Sequence, residues 1–387
     1  MVIELQPPQV LQKNKKFACK LRHLVADGLA IHQYPFEMSV NLIDEETAAQ
    51  VMEQNSAPFR FSGHIQNNKV LSSFNDTSKQ LVVRMSNLSL TKTDEDRGRN
   101  AVVANEKLCM FFSAPIQIKF PSMREAVVVV KTISLPIVII THGKQESDAE
   151  GTIFWDNAFS EMRRKPFFIT TAVPLFILLD RLDLIWKKRS KEEVMAKQRI
   201  NEEPRGLDKI ARKFLTEKLF RHCDVNPFTT VNWNQFQKEN VCQSQEKITF
   251  SFWKYFYNIM KLTCSEHMNE IWNAGHIYGF VGREESEKLL KNAKCATGTF
   301  LFRFSQSVLG AVSISCRTHG DRFGQVVVGH FKPDTIKTFR ERMSLVDTVR
   351  KMKQLVYFYP NIPKQNVVGE AAQSGQVSWY VDKPVDM

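Results

Sequence analysis

Residues 298–307 read Gly-Thr-Phe-Leu-Phe-Arg-Phe-Ser-Gln-Ser, a run of large apolar side chains interrupted by a single guanidinium. Side chains alternate along a strand, so Phe300, Phe302 and Phe304 face one way and Leu301, Arg303 and Ser305 the other. With bulky apolar residues on both sides, the strand must be covered on both faces. At neutral pH Arg303 cannot shed its charge, and burying it alone costs several kcal/mol. It therefore either pairs with an internal carboxylate or receives an anion from outside, and the strand by itself leaves both open.

The flanking sequence supplies the cover. Residues 283–293, "REESEKLLKNA", read as a helix, followed by "KCATG" and the arginine strand. "GAVSISCRT" and "FGQVVVGHF" are two more strands separated by the turn residues "HGDRFG". "SLVDTVRKMKQLV" is a second helix, opened by Ser344-x-x-Asp347 as a capping box and burying Leu345, Val349, Met352 and Val356. Helix, three strands and helix make an α+β unit of about 100 residues.

The rest of the 387 residues divides by periodicity. Residues 1 to 145 are strand-like, with "KFACKLRHLV", "QLVVRMSNLSL" and "EKLCMFF" separated by polar turns, a pattern of sandwiches and barrels. Residues 126–141 read as two short buried strands broken at Ser134-Leu135-Pro136; Lys131, Pro136 and the β-branched composition argue against a membrane span, and no membrane insertion is expected. Residues 155–265 change to helical spacing. Leu207, Ile210, Ala211 and Phe214 share one face, and Phe252, Trp253, Phe256, Tyr257 and Met260 form an aromatic stripe with the spacing of a core.

A formal net charge of +12 points to an anionic partner. The seven cysteines are scattered, without a Cys-x-x-Cys pair, which favours a reducing compartment over disulfides or zinc. The start has no apolar core of a secretory signal. No phosphate-cradling glycine loop, metal spacing or Gly-x-Ser-x-Gly elbow is visible, so no enzyme, metal or cofactor is expected.

"GTFLFRFSQS" followed by "GAVSIS" resembles the phosphotyrosine-binding strand and loop of an SH2 domain. "MVIELQPPQVLQKNKKFACKLRHLV", "VKTISLPIVIITHGKQ", "GTIFWDNAFSE" and "WNAGHIYGFVGREESEKLL" resemble the STAT family (signal transducers and activators of transcription), in that family's domain order. The resemblance implies a multidomain fold. An all-β immunoglobulin-like (p53-like) DNA-binding domain would span 1–150, an α-helical linker domain 151–265, an α+β SH2 domain 266–364, and a tail 365–387. It further implies a chain that begins at the DNA-binding domain, without the family's N-terminal and coiled-coil domains. Only seven residues follow Tyr380, too few for a transactivation segment.

By the same resemblance, Arg303, Ser305, Gln306, Ser307 and Arg283 would hold phosphotyrosine, with Gln306 standing where the family often carries an acidic residue. Such a ligand brings nearly two negative charges and three acceptor oxygens, suited to an arginine fork. Tyr380 would be the phosphorylated residue, with Tyr357 and Tyr359 poorer candidates beside a helix end. Reciprocal insertion of Tyr380 would build a homodimer, which suits an inverted TTC/GAA repeat in double-stranded DNA. Lys20, Arg22, Arg97, Arg99, Glu106 and His142 would face that DNA. A tyrosine kinase and a phosphorylated receptor complete the implied partners, with movement from cytoplasm to nucleus on activation. The competing reading is a phosphotyrosine-binding adaptor or dominant-negative competitor without transactivation.

Overall fold

The computed structural model describes the chain except residues 25–34, 53–60, 76, 78–79, 94–105, 120–124, 160–170, 197–202, 223, 242–248, 266–267, 321–324, 336–344 and 369–387. Two compact units are present, Met1–Thr170 and Thr171–Met387. No described helix is long and apolar enough to cross a membrane.

The first unit is built on two antiparallel sheets. One runs Val2–Leu5, Lys16–His23, Gln80–Thr93, Gly63–Gln66, with Ser73–Asn75 also pairing Gln80–Thr93. The other runs Glu125–Ile133, Leu108–Lys119, Glu37–Asp44, Lys69–Leu71. Alternation does the work expected of it along Lys16–His23. Phe17, Cys19 and Leu21 point inward and meet Met38, Val40 and Leu42, Leu81, Val83 and Met85, and Met110 and Phe112 in one core shared by both sheets. A short parallel pair, Val138–Ile140 with Val10–Gln12, carries the chain into the Glu146–Phe159 helix, whose Ala149 and Ile153 pack on Val138 and Ile140.

The expectation of two buried strands across 126–141 needs correcting. The break at Ser134 is there, its hydroxyl accepting the Met110 amide at 2.9 Å, and Val138–Ile140 is buried. Among the described residues, however, Glu125–Ile133 pairs only with Leu108–Lys119, at the edge of its sheet. Val127, Val128 and Val129 are therefore exposed.

In the second unit the helices Leu175–Ala196, Lys209–Phe220 and Phe252–Thr263 surround an aromatic core in which Trp186 meets Phe256, Trp272 and Phe280. Asp208 caps the middle helix by accepting the Ala211 amide at 2.9 Å. The aromatic stripe is buried as its spacing requires, but Ile210 is exposed because the buried face of its helix runs through Ala211, Phe214 and Leu215.

The arginine strand, Thr299–Phe304, lies inside a six-stranded sheet rather than a three-stranded one. Ala311–Arg317 pairs antiparallel on one side, and the short Tyr357–Phe358 pairs parallel on the other. The Arg283–Lys291 helix covers the Leu301 face through Leu290, while Phe300, Phe302 and Phe358 cluster on the opposite face. Gly279, at φ +80°, lets the chain cross the strand closely: its amide donates to the Phe302 carbonyl at 2.8 Å, and a Cβ there would lie 2.7 Å from the Phe304 ring. The later helix runs Leu345–Lys351 and stops short of Val356, which is exposed. Lys364 Nζ donates to the Met352 carbonyl at 2.8 Å and to that of Val349 at 3.2 Å, closing the helix there.

Candidate functional site

Arg303 is only 8% exposed, and among the described residues it forms no ion pair. What it meets is a hydroxyl: Nε donates to Ser315 Oγ at 3.2 Å. The cost of this placement is legible in its acidity. Burial first, and the nearby charge of Arg283 second, pull the guanidinium from 12.5 down to about 10, against a partial lift from Tyr255 and Glu287. Two cations therefore sit in each other's field without a carboxylate bound to the buried one. That is an electrostatic arrangement for receiving an anion.

The hydroxyl that orients Arg303 is itself held. Ser315 Oγ lies 2.9 Å from His330 Nδ1, and His330 Nε2 lies 2.9 Å from Glu287 Oε1. A carboxylate only accepts, so the imidazole proton sits on Nε2 and Nδ1 accepts from Ser315. The remaining lone pairs of Ser315 then face the Nε–H of Arg303. Ser286, which donates to the Arg283 carbonyl at 2.6 Å, lies 3.2 Å from the same hydroxyl.

Burial holds His330 below its ordinary value. The Glu287 hydrogen bond opposes that shift, while Arg283 and Arg303 add to it. A base lowered in the native state binds fewer protons than the unfolded chain, so His330 subtracts stability as pH falls below about 6.5. Glu287→Gln is expected to move the imidazole titration further down, read by NMR of the ring protons. An unmoved midpoint would mean that the contact does not form in solution.

Ser305, two residues beyond Arg303, is buried and accepts the amides of Ser307 at 3.3 Å and Val308 at 2.9 Å, which folds the following loop back on itself. Gln306 is half-buried and Ser307 exposed. The far end of the loop, Gly310, lies against Asn258 of the Phe252–Thr263 helix, so a helix outside the sheet braces the loop. Arg283 opens the Arg283–Lys291 helix, largely exposed, with its Nε 3.8 Å from Glu287. A cleft of about 580 Å³ beside it is lined in part by Gly282, Arg283 and Gln306.

The other expected residues lie in the first unit. Lys20 and Arg22 share the outer face of Lys16–His23, and Lys20 pairs with Glu4 at 2.6 Å. Glu106 is half-buried at the start of Leu108–Lys119. His142 is exposed in the turn before Glu146–Phe159, where the Gln145 carboxamide accepts the Thr141 amide at 2.9 Å. Arg97, Arg99 and Tyr380 lie outside the described residues. Among the described residues no group of side chains could hold a metal ion.

Sequence reasoning missed Ser315, His330 and Glu287. Ser313 and Ser315 were within reach, since alternation in "GAVSISCR" puts both on the arginine face once the hairpin register (Arg303 opposite Ser313) is known.

Two regions match known families. The model described as the STAT protein DNA-binding domain matches residues 5–140, which include Lys20, Arg22 and Glu106, and the SH2 domain matches 276–359, which include Arg283 and Arg303. A signal transducer and transcription activator from Anopheles gambiae is 30% identical over 370 residues, covering 95% of this chain. The chain spans about half the length of that relative (48%). Among solved structures, an inactive choanoflagellate E3 ubiquitin ligase Cbl TKB matches at 15% identity over 57% of this chain and 53% of that one. Its TM-score of 0.20 is too low to bear on the fold. The two domain matches and the similarity to that relative along 95% of this chain place the chain in the STAT family.

Proposed function

We propose that the chain is a sequence-specific DNA-binding transcription factor, not an enzyme, activated by tyrosine phosphorylation. Two copies dimerise by inserting each other's phosphorylated Tyr380 at Arg303, in signalling of the cytokine-receptor and JAK type, and the dimer moves from cytoplasm to nucleus. The observation that carries this reading is a buried Arg303 without an acidic partner among the described residues, beside a second arginine. Phosphotyrosine suits it: the long arm reaches a buried guanidinium, and the fork can grip two phosphate oxygens.

The two-sheet core of the first unit agrees with an immunoglobulin-like DNA-binding domain over 1–150. On this reading 151–265 is the linker, 266–364 the SH2 domain and 365–387 the tail. Lys20 and Arg22 supply phosphate contacts, and Glu106 and His142 act near the bases of an inverted TTC/GAA repeat. The last described anchor of the tail is Arg350 Nε, which donates to the Val368 carbonyl at 2.8 Å. The twelve residues from there to Tyr380 reach roughly 40 Å when extended, enough for exchange with a second copy.

Kinase treatment of wild type and Tyr380→Phe tests the proposal, read by mass in solution and by mobility shift of the repeat. Only treated wild type is expected to dimerise and shift the duplex. Kinase-dependent dimers of the variant alone would reject Tyr380, and treated dimers indifferent to the repeat would favour an adaptor.

A further inference from the structure

The outer face of the first sheet carries a charge arrangement that sheet stability does not explain. Lys20 lies directly opposite Arg84 on the neighbouring strand, and Arg22 follows two residues on. All three point outward, since Cys19, Leu21, Val83 and Met85 between them are buried. Like charges opposite each other destabilise a strand pair, and no ion pair of Arg84 is formed among the described residues. The Nε of Arg22 is buried without a hydrogen-bond partner among the described residues.

One carboxylate answers the three cations. Ile3 lies opposite Leu21 and Leu5 opposite Lys20, which leaves Glu4 as the extra residue of a β-bulge. A bulge re-aims its side chain, and here it sends the Glu4 carboxylate to Lys20 at 2.6 Å. The Lys20 hydrogen bond, then the charges of Lys20, Arg22 and Arg84, hold that carboxyl below its usual range despite some burial. Glu4 thus occupies, with an acceptor oxygen, the position on Lys20 that a backbone phosphate would take.

We propose that Arg84 is a third contact to the DNA backbone beside Lys20 and Arg22, and that Glu4 is a built-in phosphate mimic that DNA must displace from Lys20. The proposal rests on the DNA-binding reading above. It predicts a face whose affinity for any duplex is held down by its own chain, leaving discrimination to residues that reach bases.

The test uses the kinase-treated full chain and fluorescent duplexes, one with the TTC/GAA inverted repeat and one scrambled at equal length, titrated across salt. Arg84→Gln is expected to weaken both duplexes alike and to lower the salt slope of the dimer by about 1.8, one phosphate's worth per copy. Glu4→Gln is expected to tighten both about two- to fivefold at low salt, the range spanned by an exposed ion pair. That gain should vanish in a Lys20→Gln background. An unchanged slope for Arg84→Gln overturns the first half. A Glu4→Gln gain that is absent, or that survives without Lys20, overturns the second. If Lys20→Gln itself leaves both duplexes unaffected, the DNA-binding reading fails, and the proposal with it.

Discussion

Arg303→Met is expected to abolish capture of a phosphotyrosine peptide and, in the same protein, to raise thermal stability. Binding should fall at least about thirtyfold, because removing one partner of a buried, hydrogen-bonded charge pair costs about 2 kcal/mol or more. Stability should move the other way. In the free protein the guanidinium is buried with a single hydroxyl acceptor, beside Arg283. Its fall from 12.5 to about 10 corresponds to a penalty on the order of 3 kcal/mol.

At neutral pH the guanidinium is charged in both the native and the unfolded chain, so the full penalty applies. It is relieved only as pH rises above about 10. Methionine fills similar space without charge, and apolar replacement of buried ionic groups is often neutral or stabilising by about 1–4 kcal/mol. Calorimetry and peptide titration on one preparation suffice. A variant that loses both stability and binding would show Arg303 to be a structural ion, and the receptor reading would fall. Arg303→Lys separates charge from shape, since it keeps the cation and loses the fork.

Lys107→Ala is expected to destabilise the first unit by about 3–5 kcal/mol, the cost of leaving a buried charge without its partner. Lys107 is 2% exposed, and its Nζ reaches Asp156 at 2.8 Å and Glu45 at 2.9 Å. Asp156 is also buried, on the Glu146–Phe159 helix, and Glu45 begins the Glu45–Met52 helix. One ammonium therefore ties two helices to the start of the Leu108–Lys119 strand, immediately after Glu106. Hydrogen exchange in that strand and both helices should rise together. Lys107→Met with Asp156→Leu should recover most of the loss, because it removes the two buried charges and leaves only the more exposed Glu45 carboxylate. A loss under about 1 kcal/mol for Lys107→Ala would mean that water reaches the cluster and that it ties nothing.

How far the sequence alone could be read follows from the range of the interactions involved. Alternation along Lys16–His23 and the stripe on Phe252–Thr263 were readable because each depends on neighbours within one or two turns of the same element. The exposed valines of Glu125–Ile133 were misread because their burial depends on the strand's place at a sheet edge, which composition does not encode. Ile210 was misread for a related reason: a helix's buried face is chosen by the partner it meets.

Arg303 shows the same division within one site. Its chain neighbours already implied a buried cation that needed an anion, since alternation and the cost of desolvation are local facts. Whether the answering group was internal depended on residues brought together by folding: Ser315, His330 beyond it and Glu287, joined by contacts spanning 12, 15 and 43 residues of chain. Strand register and helix packing put a hydroxyl, not a carboxylate, against the guanidinium, and gave Glu287 to the imidazole. The pattern of residues thus determined that a charge would be buried. Only the tertiary structure decided what it meets, because periodicity constrains which way a side chain faces, while the group it touches is set by chain brought in from far along the sequence.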